Sequence, residues 1–215
     1  MKSILKLSLA AALAVSALSA KESEAIKGLD VSANMAVTTN YIWRGATQNG
    51  NTPTFQAGID LAMGDFYAGT WGSGAANGQE IDVYAGYATE VAGIGIDLGV
   101  IEYIYTDQIN GQWLDDATAP SEEVYLGLSY SVAGVDLGLT DSYSFTGGTN
   151  NLEVSAGYSI ASLAYGMNGN GSYLQVGAAI PCVVTGGEWG LTYGMTMPSE
   201  GDSASAFAVS HSFSF

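Results

Sequence analysis

The sequence predicts an all-β fold: a transmembrane antiparallel up-and-down β-barrel of about twelve strands. Apolar and polar residues alternate from Val31 to Trp43, from Phe55 to Met63 and at the end of the chain, and this is the pattern of strands with one apolar and one polar face. Only 12% of the residues are charged, whereas soluble domains average about 25%. A secreted soluble β-protein is the alternative, but it would have no need to keep its charges on one face of each strand.

The N-terminus predicts export. Lys2 and Lys6 precede an apolar run over residues 7–18 that ends in small residues. This is the pattern of a secretion signal, and the run is too short to span a membrane as a helix. We therefore expect a signal peptide over residues 1–20, a short periplasmic segment over 21–30 and an outer-membrane barrel over 31–215.

The alternation divides the barrel into twelve predicted strands. They cover residues 31–44, 53–63, 66–73, 79–90, 94–105, 122–132, 135–145, 151–160, 162–167, 172–180, 188–197 and 204–215. Short connections alternate with long or glycine-rich ones, except at 181–187. Bacterial outer-membrane barrels have short periplasmic turns, longer outer loops and an even number of strands. The alternation of short and long connections therefore predicts both termini in the periplasm and the loop 106–121 outside.

Charged residues test the strand assignment independently, because apolar residues alone define the faces. Glu102 and Asp141 share the apolar face. A charge that faces lipid at mid-bilayer costs about 2–4 kcal/mol, and less for acids, so the others are expected to line a lumen. These lumen residues are Arg44, Asp60, Glu80, Asp82, Glu90, Asp97, Glu123, Asp136, Glu153 and Glu188.

Arg44 is the only basic residue within a predicted strand. It either positions anionic groups of a solute at a constriction or balances charge in a polar network, and the second interpretation is favoured. Its expected partners are Asp60, Glu80 and Asp82, which lie on the second and fourth predicted strands. The strand between them carries Trp71, which is expected to face inward.

The excess of acids predicts which solutes an open lumen would favour. Rings of Asp and Glu favour cations in channels. A filled lumen would instead pair the same acids with Arg44, hydroxyl groups and waters. The mature chain would keep Lys21, Lys27 and Arg44 against 21 acidic residues, and this balance excludes a nucleic-acid partner.

Other residues that could be reactive, or that could mark a membrane interface, give weaker signals. His211 stands between Ser210 and Ser212, but adjacent strand residues point to opposite faces and no acid follows, so the protein is not expected to be an enzyme. Cys182 is the single cysteine and is expected to be an inert buried thiol in a turn. Three pairs of aromatic residues at strand ends predict interfacial girdles: Tyr41 with Trp43, Tyr103 with Tyr105, and Tyr143 with Phe145.

One acidic stretch could bind Ca²⁺ or other divalent ions of the outer leaflet, although a solvated loop is the preferred interpretation. It contains Asp107, Trp113, Asp115, Asp116, Glu122 and Glu123. No zinc spacing and no phosphate-binding glycine motif stand out. We therefore expect neither a metal nor a cofactor.

Residues 41–87 carry a resemblance to a known family. The matching pieces are Tyr41-Ile42-Trp43-Arg44-Gly45, Gln48, Pro53, Gln56, Phe66-Tyr67-Ala68-Gly69-Thr70-Trp71-Gly72-Ser73 and Glu80-Ile81-Asp82-Val83-Tyr84-Ala85-Gly86-Tyr87. In this order they resemble the TorF porin family of proteobacterial outer-membrane β-barrels, whereas the second half of the chain matches only in style. The resemblance implies a barrel more firmly than a transported solute.

The last strand looks like the assembly signal of outer-membrane proteins, which implies outer-membrane lipid and the barrel-assembly machinery as partners. Its signal residues are Phe207, Val209, Phe213 and Phe215. We expect a porin-like channel through which small solutes pass passively. A filled structural or surface-interaction barrel is the alternative, because barrels of eight strands are filled and those of sixteen are open. An outer-membrane lipid-modifying enzyme ranks third.

Overall fold

The computed structural model describes residues 28–76, 78–106 and 121–215. Within these ranges all regular structure is β, and no helix there is long and apolar enough to cross a membrane. The strands are β1 (Asp30–Thr38), β2 (Ile42–Trp43), β3 (Ala46–Thr47), β4 (Thr54–Met63), β5 (Phe66–Ala75), β6 (Gly78–Val91), β7 (Ile94–Tyr105), β8 (Ser121–Val132), β9 (Val135–Ser144), β10 (Thr149–Tyr158), β11 (Ala161–Asn168), β12 (Gly171–Pro181), β13 (Glu188–Pro198) and β14 (Ala204–Ser214). The predicted signal peptide lies outside the described residues and stays a prediction.

Twelve of these strands form a closed antiparallel barrel, which confirms the predicted fold class. Each strand pairs with its neighbour in the chain, and β1 closes the ring by pairing with both β4 and β14. At this seam Ala33 and Phe215 exchange two backbone hydrogen bonds of 3.0 and 2.8 Å. Closure leaves no unpaired strand edge, as a sheet surrounded by lipid requires.

The two faces of the wall differ as the alternation predicts. Large apolar side chains point outward and are exposed, among them Leu98 and Val100 at 53% and 54%. Inward positions are buried and polar, as in Glu123 and Glu153 at 7% and 5%. Glu102 points outward as expected, and its cross-strand partner there is another acid, Glu122.

The connections define two ends of the barrel. At the terminus end, where both described termini lie, tight two-residue turns such as Ala92-Gly93 join the strands. Both turn residues have positive φ, 55° and 83°, which matches the right-handed twist of the flanking strands. The opposite, loop end carries residues 39–53 and the ends of β7 and β8. The shortest connections at this end, of two residues each, join β5 to β6 and β11 to β12.

One of the three predicted girdle pairs faces outward, as a girdle requires, and the other two do not. Tyr143 and Phe145 are exposed on the outward face, with ring centroids 5.3 Å apart. Tyr103 and Tyr105 face inward, because their cross-strand partners are the inward acids Asp82 and Glu80. The third predicted pair, Tyr41 with Trp43, lies beyond the end of β1 at Thr38, where the chain leaves the wall.

Candidate functional site in the barrel lumen

Residues 39–53, which we call the lumen hairpin, fold into the barrel instead of extending β1. β2 and β3 pair with each other around a tight turn at Arg44 and Gly45, whose φ angles are 47° and 75°. The prediction of a first strand that runs to residue 44 is therefore wrong. The odd-even alternation of residues 41–44 belongs to this hairpin and not to the barrel wall.

Amide and hydroxyl side chains hold the base of the hairpin. Asn40 is 3% exposed, and its side chain accepts a hydrogen bond from Thr47 Oγ1 at 2.6 Å and donates one to Asn51 Oδ1 at 2.9 Å. Asn49 accepts from the Tyr41 backbone N–H at 3.1 Å. Such local bonds to the side chains of Asn and Thr compete with ladder bonds and favour turns. They give a physical reason why the chain leaves the wall here.

The hairpin packs against β13 backbone to backbone. A Cβ added at Gly194 would lie 2.7 Å from Gly45 O and 2.7 Å from Ile42 Cγ2. One added at Gly45 would lie 2.6 Å from Met195 O. Gly45 N–H also donates to Gln175 Oε1 at 3.3 Å. Glycine at both positions is therefore what allows the hairpin to approach this part of the wall.

Arg44 reaches from the hairpin tip to the far side of the lumen. Its Nη1 and Nη2 donate to the two carboxylate oxygens of Glu123 at 2.8 Å each, and Nη2 also donates to Ser142 Oγ at 3.0 Å. The guanidinium lies 4.1 Å from the centroid of the Trp43 ring. Such a bidentate pair is among the stronger hydrogen-bonded contacts. It ties the hairpin to β8 and β9.

The predicted partners of Arg44 are wrong. Asp60, Glu80 and Asp82 do face the lumen, but the ion pair of Arg44 is with Glu123. The prediction placed Arg44 within the first barrel strand, next to the second. The hairpin instead carries its tip across the lumen.

Tyr41 connects the hairpin to β6, the strand that carries two of the expected partners of Arg44. Its hydroxyl donates to Glu80 Oε1 at 2.9 Å, and its ring meets Trp71 edge-on with centroids 5.4 Å apart. Trp71 is 7% exposed, as expected for an inward residue. Trp43 similarly contacts Tyr103 at a centroid distance of 5.6 Å. The hairpin thus makes contacts around much of the lumen.

Four inward tyrosine rings each lie over a glycine that is the direct cross-strand partner. The pairs are Tyr67 with Gly86, Tyr84 with Gly69, Tyr125 with Gly99, and Tyr173 with Gly166. Because a Cβ on the glycine would collide with the ring, these glycines let the rings lie along the wall. The lumen therefore keeps more room than four projecting tyrosines would leave.

Most inward acids have hydrogen-bond partners on the wall. Tyr84 donates to Asp60, and Tyr67 donates to Asp97 at 2.7 Å while also contacting the hydroxyl of Tyr125. On the other strands Tyr173 donates to Glu153 Oε2 at 2.7 Å, and Ser131 donates to Asp136 Oδ1 at 2.6 Å.

The lumen therefore has two unlike walls. The acidic wall, formed by the inward residues of β4–β8, carries Asp60, Tyr67, Trp71, Glu80, Asp82, Tyr84, Asp97, Tyr103, Tyr105, Glu123 and Tyr125. The small-residue wall, on β11–β14, carries mostly small inward residues: Ser162, Ala164, Gly166, Gly177, Gly190, Thr192, Gly194, Ala206, Ala208, Ser210 and Ser212. Tyr173, Gln175 and Glu188 are the large inward residues on these strands. The hairpin backbone lies against the second wall, and its long side chains reach the first.

Cys182 lies in the turn between β12 and β13, as predicted, but it is only half-buried. Hydrogen bonds with Thr185 and then His211 lower the pKa of the Cys182 thiol to about 6. The expectation of an inert buried thiol is therefore wrong. His211 points outward, as expected, against Trp189 at a centroid distance of 4.4 Å.

The acidic stretch 106–123 is only partly described. Asp107, Trp113, Asp115 and Asp116 lie outside the described residues. Glu122 and Glu123 stand on opposite faces of β8, and Glu123 is already bound to Arg44. Among the residues that the structure does describe, no three or more His, Cys, Asp or Glu side chains converge to hold a metal ion.

The closed ring of twelve antiparallel strands with an inward hairpin defines the class of protein, a twelve-stranded β-barrel. The chain belongs to the family described as Gcw_chp, a bacterial protein of unknown function, whose model matches residues 22–192. No curated protein sequence matches it. The match to this family model does not test the resemblance of residues 41–87 to the TorF porin family.

Solved porin structures are similar to this fold at low sequence identity. The KdgM porin has a TM-score of 0.57 at 12% identity, over 86% of this chain and 99% of that one. OmpF of Salmonella typhi, in complex with daunomycin, has a TM-score of 0.44 at 12% identity, over 87% and 97%. OpdK of Pseudomonas aeruginosa has 0.40 at 12%, over 88% and 67%. At these identities the KdgM likeness shows the fold alone.

Proposed function

We propose that this protein is an outer-membrane channel of the porin type, through which small solutes pass passively, with a preference for cations. The observation that carries the proposal is the charge of the lumen. Arg44 is the only Lys or Arg after residue 27, and Glu123 already neutralises it. The remaining inward acids therefore set the sign of the electrostatic potential, which attracts cations.

The exterior supports an outer-membrane location. Its exposed apolar side chains suit contact with lipid, and its barrel strands of 8–14 residues are long enough to cross a bilayer when tilted. Tight turns at the terminus end and longer loops at the other match bacterial barrels, whose short turns are periplasmic. The TorF resemblance and the KdgM fold agree with this assignment. The proposed orientation places both termini in the periplasm.

The lumen hairpin supplies the proposed constriction. It narrows the lumen from the small-residue wall, and solutes would pass beside the acidic wall. A filled structural barrel is the second candidate, and one observation favours it: hairpin residues contact both walls, through Gly45 on one side and Arg44 on the other. Conduction distinguishes the two candidates.

The test is a planar-bilayer recording of the purified protein under a KCl gradient. We expect channel events with a reversal potential on the cation side. The preference should weaken at high salt, since the Debye length falls from about 10 Å at 0.1 M to about 3 Å at 1 M. Correctly folded protein that gives no channel events would support the filled barrel. Anion preference would contradict the assignment of the lumen.

The C-terminal strand is proposed to direct assembly. Phe207 and Phe215 are exposed on the outward face at 57% and 53%, and the backbone of Phe215 closes the seam with Ala33. Deletion of Phe215 should lower the amount of folded barrel in the outer membrane. Unchanged amounts of heat-modifiable protein on a gel would count against this role.

A further inference from the structure

Glu80 and Asp82 differ from the other buried inward acids in having oxygens without a partner. Glu80 is 2% exposed and Asp82 is 7% exposed. Among the described residues, no group donates a hydrogen bond to Glu80 Oε2 or to Asp82 Oδ1. Glu123, in contrast, has both carboxylate oxygens bound by Arg44. The acidic wall therefore has one place where negative charge is buried without compensation.

The two carboxylates lie on the same inward face of β6, two residues apart. Removing two carboxylates from water is strongly unfavourable unless a cation or hydrogen bonds compensate for the lost hydration. The described chain supplies no basic residue for this purpose, since its one inward base is bound to Glu123. The remaining sources of compensation are a proton bound by the carboxylates themselves and a metal cation from solution.

We infer that Glu80 and Asp82 form a weak binding site for a hard divalent cation of the Ca²⁺ class at the constriction. Ca²⁺ and Mg²⁺ take oxygen ligands, and Mg²⁺ commonly binds through one or two carboxylates plus waters. Neutral oxygens are adjacent, because the Tyr41 hydroxyl donates to Glu80 Oε1 and Tyr105 is the cross-strand partner of Glu80. A site with two carboxylates binds a cation more weakly than a site with three. We therefore expect ions that pass through the lumen to occupy it briefly, and we do not expect a permanent structural metal.

The shape of the site favours a metal ion over an organic cation. Both unpartnered oxygens are shielded from water-sized contact. A dehydrated Ca²⁺ approaches an oxygen to about 2.3–2.6 Å, closer than a hydrogen-bonded partner at about 2.8 Å. Tyr41 contacts both Glu80 and Trp71, so its ring borders the pair of acids.

This inference deepens the proposed channel function, but its first test does not depend on conduction. Tb³⁺ serves as a luminescent probe for Ca²⁺ sites. Trp71 is the direct cross-strand partner of Asp82, so excitation of tryptophan should sensitise Tb³⁺ emission from purified protein in detergent. Added Ca²⁺ should displace the probe. Glu80→Gln and Asp82→Asn should each abolish most of the emission, whereas Asp136→Asn should retain it.

A further variant and a current measurement complete the design. Trp71→Phe should lose sensitised emission but keep the heat released by Ca²⁺ binding in calorimetry. In bilayers, millimolar Ca²⁺ should reduce the K⁺ current at least two-fold in the wild type and leave it unchanged in Asp82→Asn. Emission that persists in both Glu80→Gln and Asp82→Asn, or wild-type protein that binds no Tb³⁺, would overturn the site; the latter would indicate a proton shared by the two carboxylates. Binding without any conduction would overturn the channel function alone.

Discussion

The acidic wall and the small-residue wall of the lumen pack in different ways. On the acidic wall, bulky tyrosines and carboxylates are accommodated by glycines on neighbouring strands, as with Tyr125 over Gly99. On the small-residue wall, glycine and alanine leave space that another part of the chain fills. The lumen hairpin occupies this space, with Gly45 against Gly194.

The difference shows that glycine has two roles in this barrel. On the acidic wall, and at Gly166 beneath Tyr173, it makes room for a side chain of the adjacent strand. At Gly194 on the small-residue wall it makes room for a backbone segment that is distant in the sequence. The first role leaves space in the lumen, and the second lets the hairpin occupy it. Removing glycine from each wall should therefore have different consequences.

The largest expected effect comes from displacing the hairpin. In Gly194→Val the new side chain would occupy the position of Gly45 O and Ile42 Cγ2, so the hairpin must move from the small-residue wall. We expect single-channel conductance to rise at least two-fold. Gly127→Ala is the matched control, because its Cβ would meet Asp97 Cβ at an ordinary 3.6 Å. A folded Gly194→Val barrel with wild-type conductance would contradict the proposed constriction.

A smaller effect is expected from breaking the hairpin's tie to the acidic wall. Arg44→Ala leaves Glu123 buried and unpaired, and removing one partner of a buried pair typically costs about 3–5 kcal/mol. Urea unfolding in detergent, followed by tryptophan fluorescence, should show a loss of about 3 kcal/mol in the free energy of unfolding. The double variant Arg44→Met with Glu123→Leu should recover part of it. A loss below about 1 kcal/mol in Arg44→Ala would mean that the pair is solvated.

The smallest effect concerns the turn that joins β12 and β13 of the small-residue wall. The pKa of Cys182 near 6 makes the thiolate the main form at pH 7. Thr185→Val removes the hydrogen bond that lowers the pKa of Cys182 most. The pKa should therefore rise toward its ordinary value of about 8.5, and maleimide labelling at pH 7 should slow several-fold. The difference should vanish above about pH 9. Equal rates at pH 7 would show that Thr185 does not activate the thiol.

Much of the barrel could be predicted from the sequence because one physical rule sets the faces of every strand. Lipid outside and polar groups inside force the alternation, so the predicted bounds of β7 match the observed Ile94–Tyr105. The same rule placed Asp60, Glu80 and Asp82 on the inward face. It also placed Glu102 on the outward face, where the structure has it.

The pairing inside the lumen could not be predicted in the same way. Alternation assigns a side chain to a face but says nothing about which inward groups meet across the barrel. Residues 41–44 continue the period of β1, so they resemble a strand although they form the hairpin. The signal that could have located the turn is the density of Asn, Thr and Gly over residues 45–52, which favours turns over a wall strand.

The most direct test of the account is disulfide trapping of the hairpin against the small-residue wall. Ile42→Cys and Gly194→Cys, in a Cys182→Ser background, place one sulfur on the hairpin and one on the wall beside it, because a Cβ at position 194 would lie 2.7 Å from Ile42 Cγ2. The covalent bond between the two sulfurs holds the hairpin near the wall, whereas the side chain of Gly194→Val can only push it away. Mass spectrometry of the folded protein should find this crosslink in most molecules. It should be absent when Gly127→Cys on the acidic wall replaces Gly194→Cys. Absence of the first crosslink, or equal formation of both, would contradict the position of the hairpin.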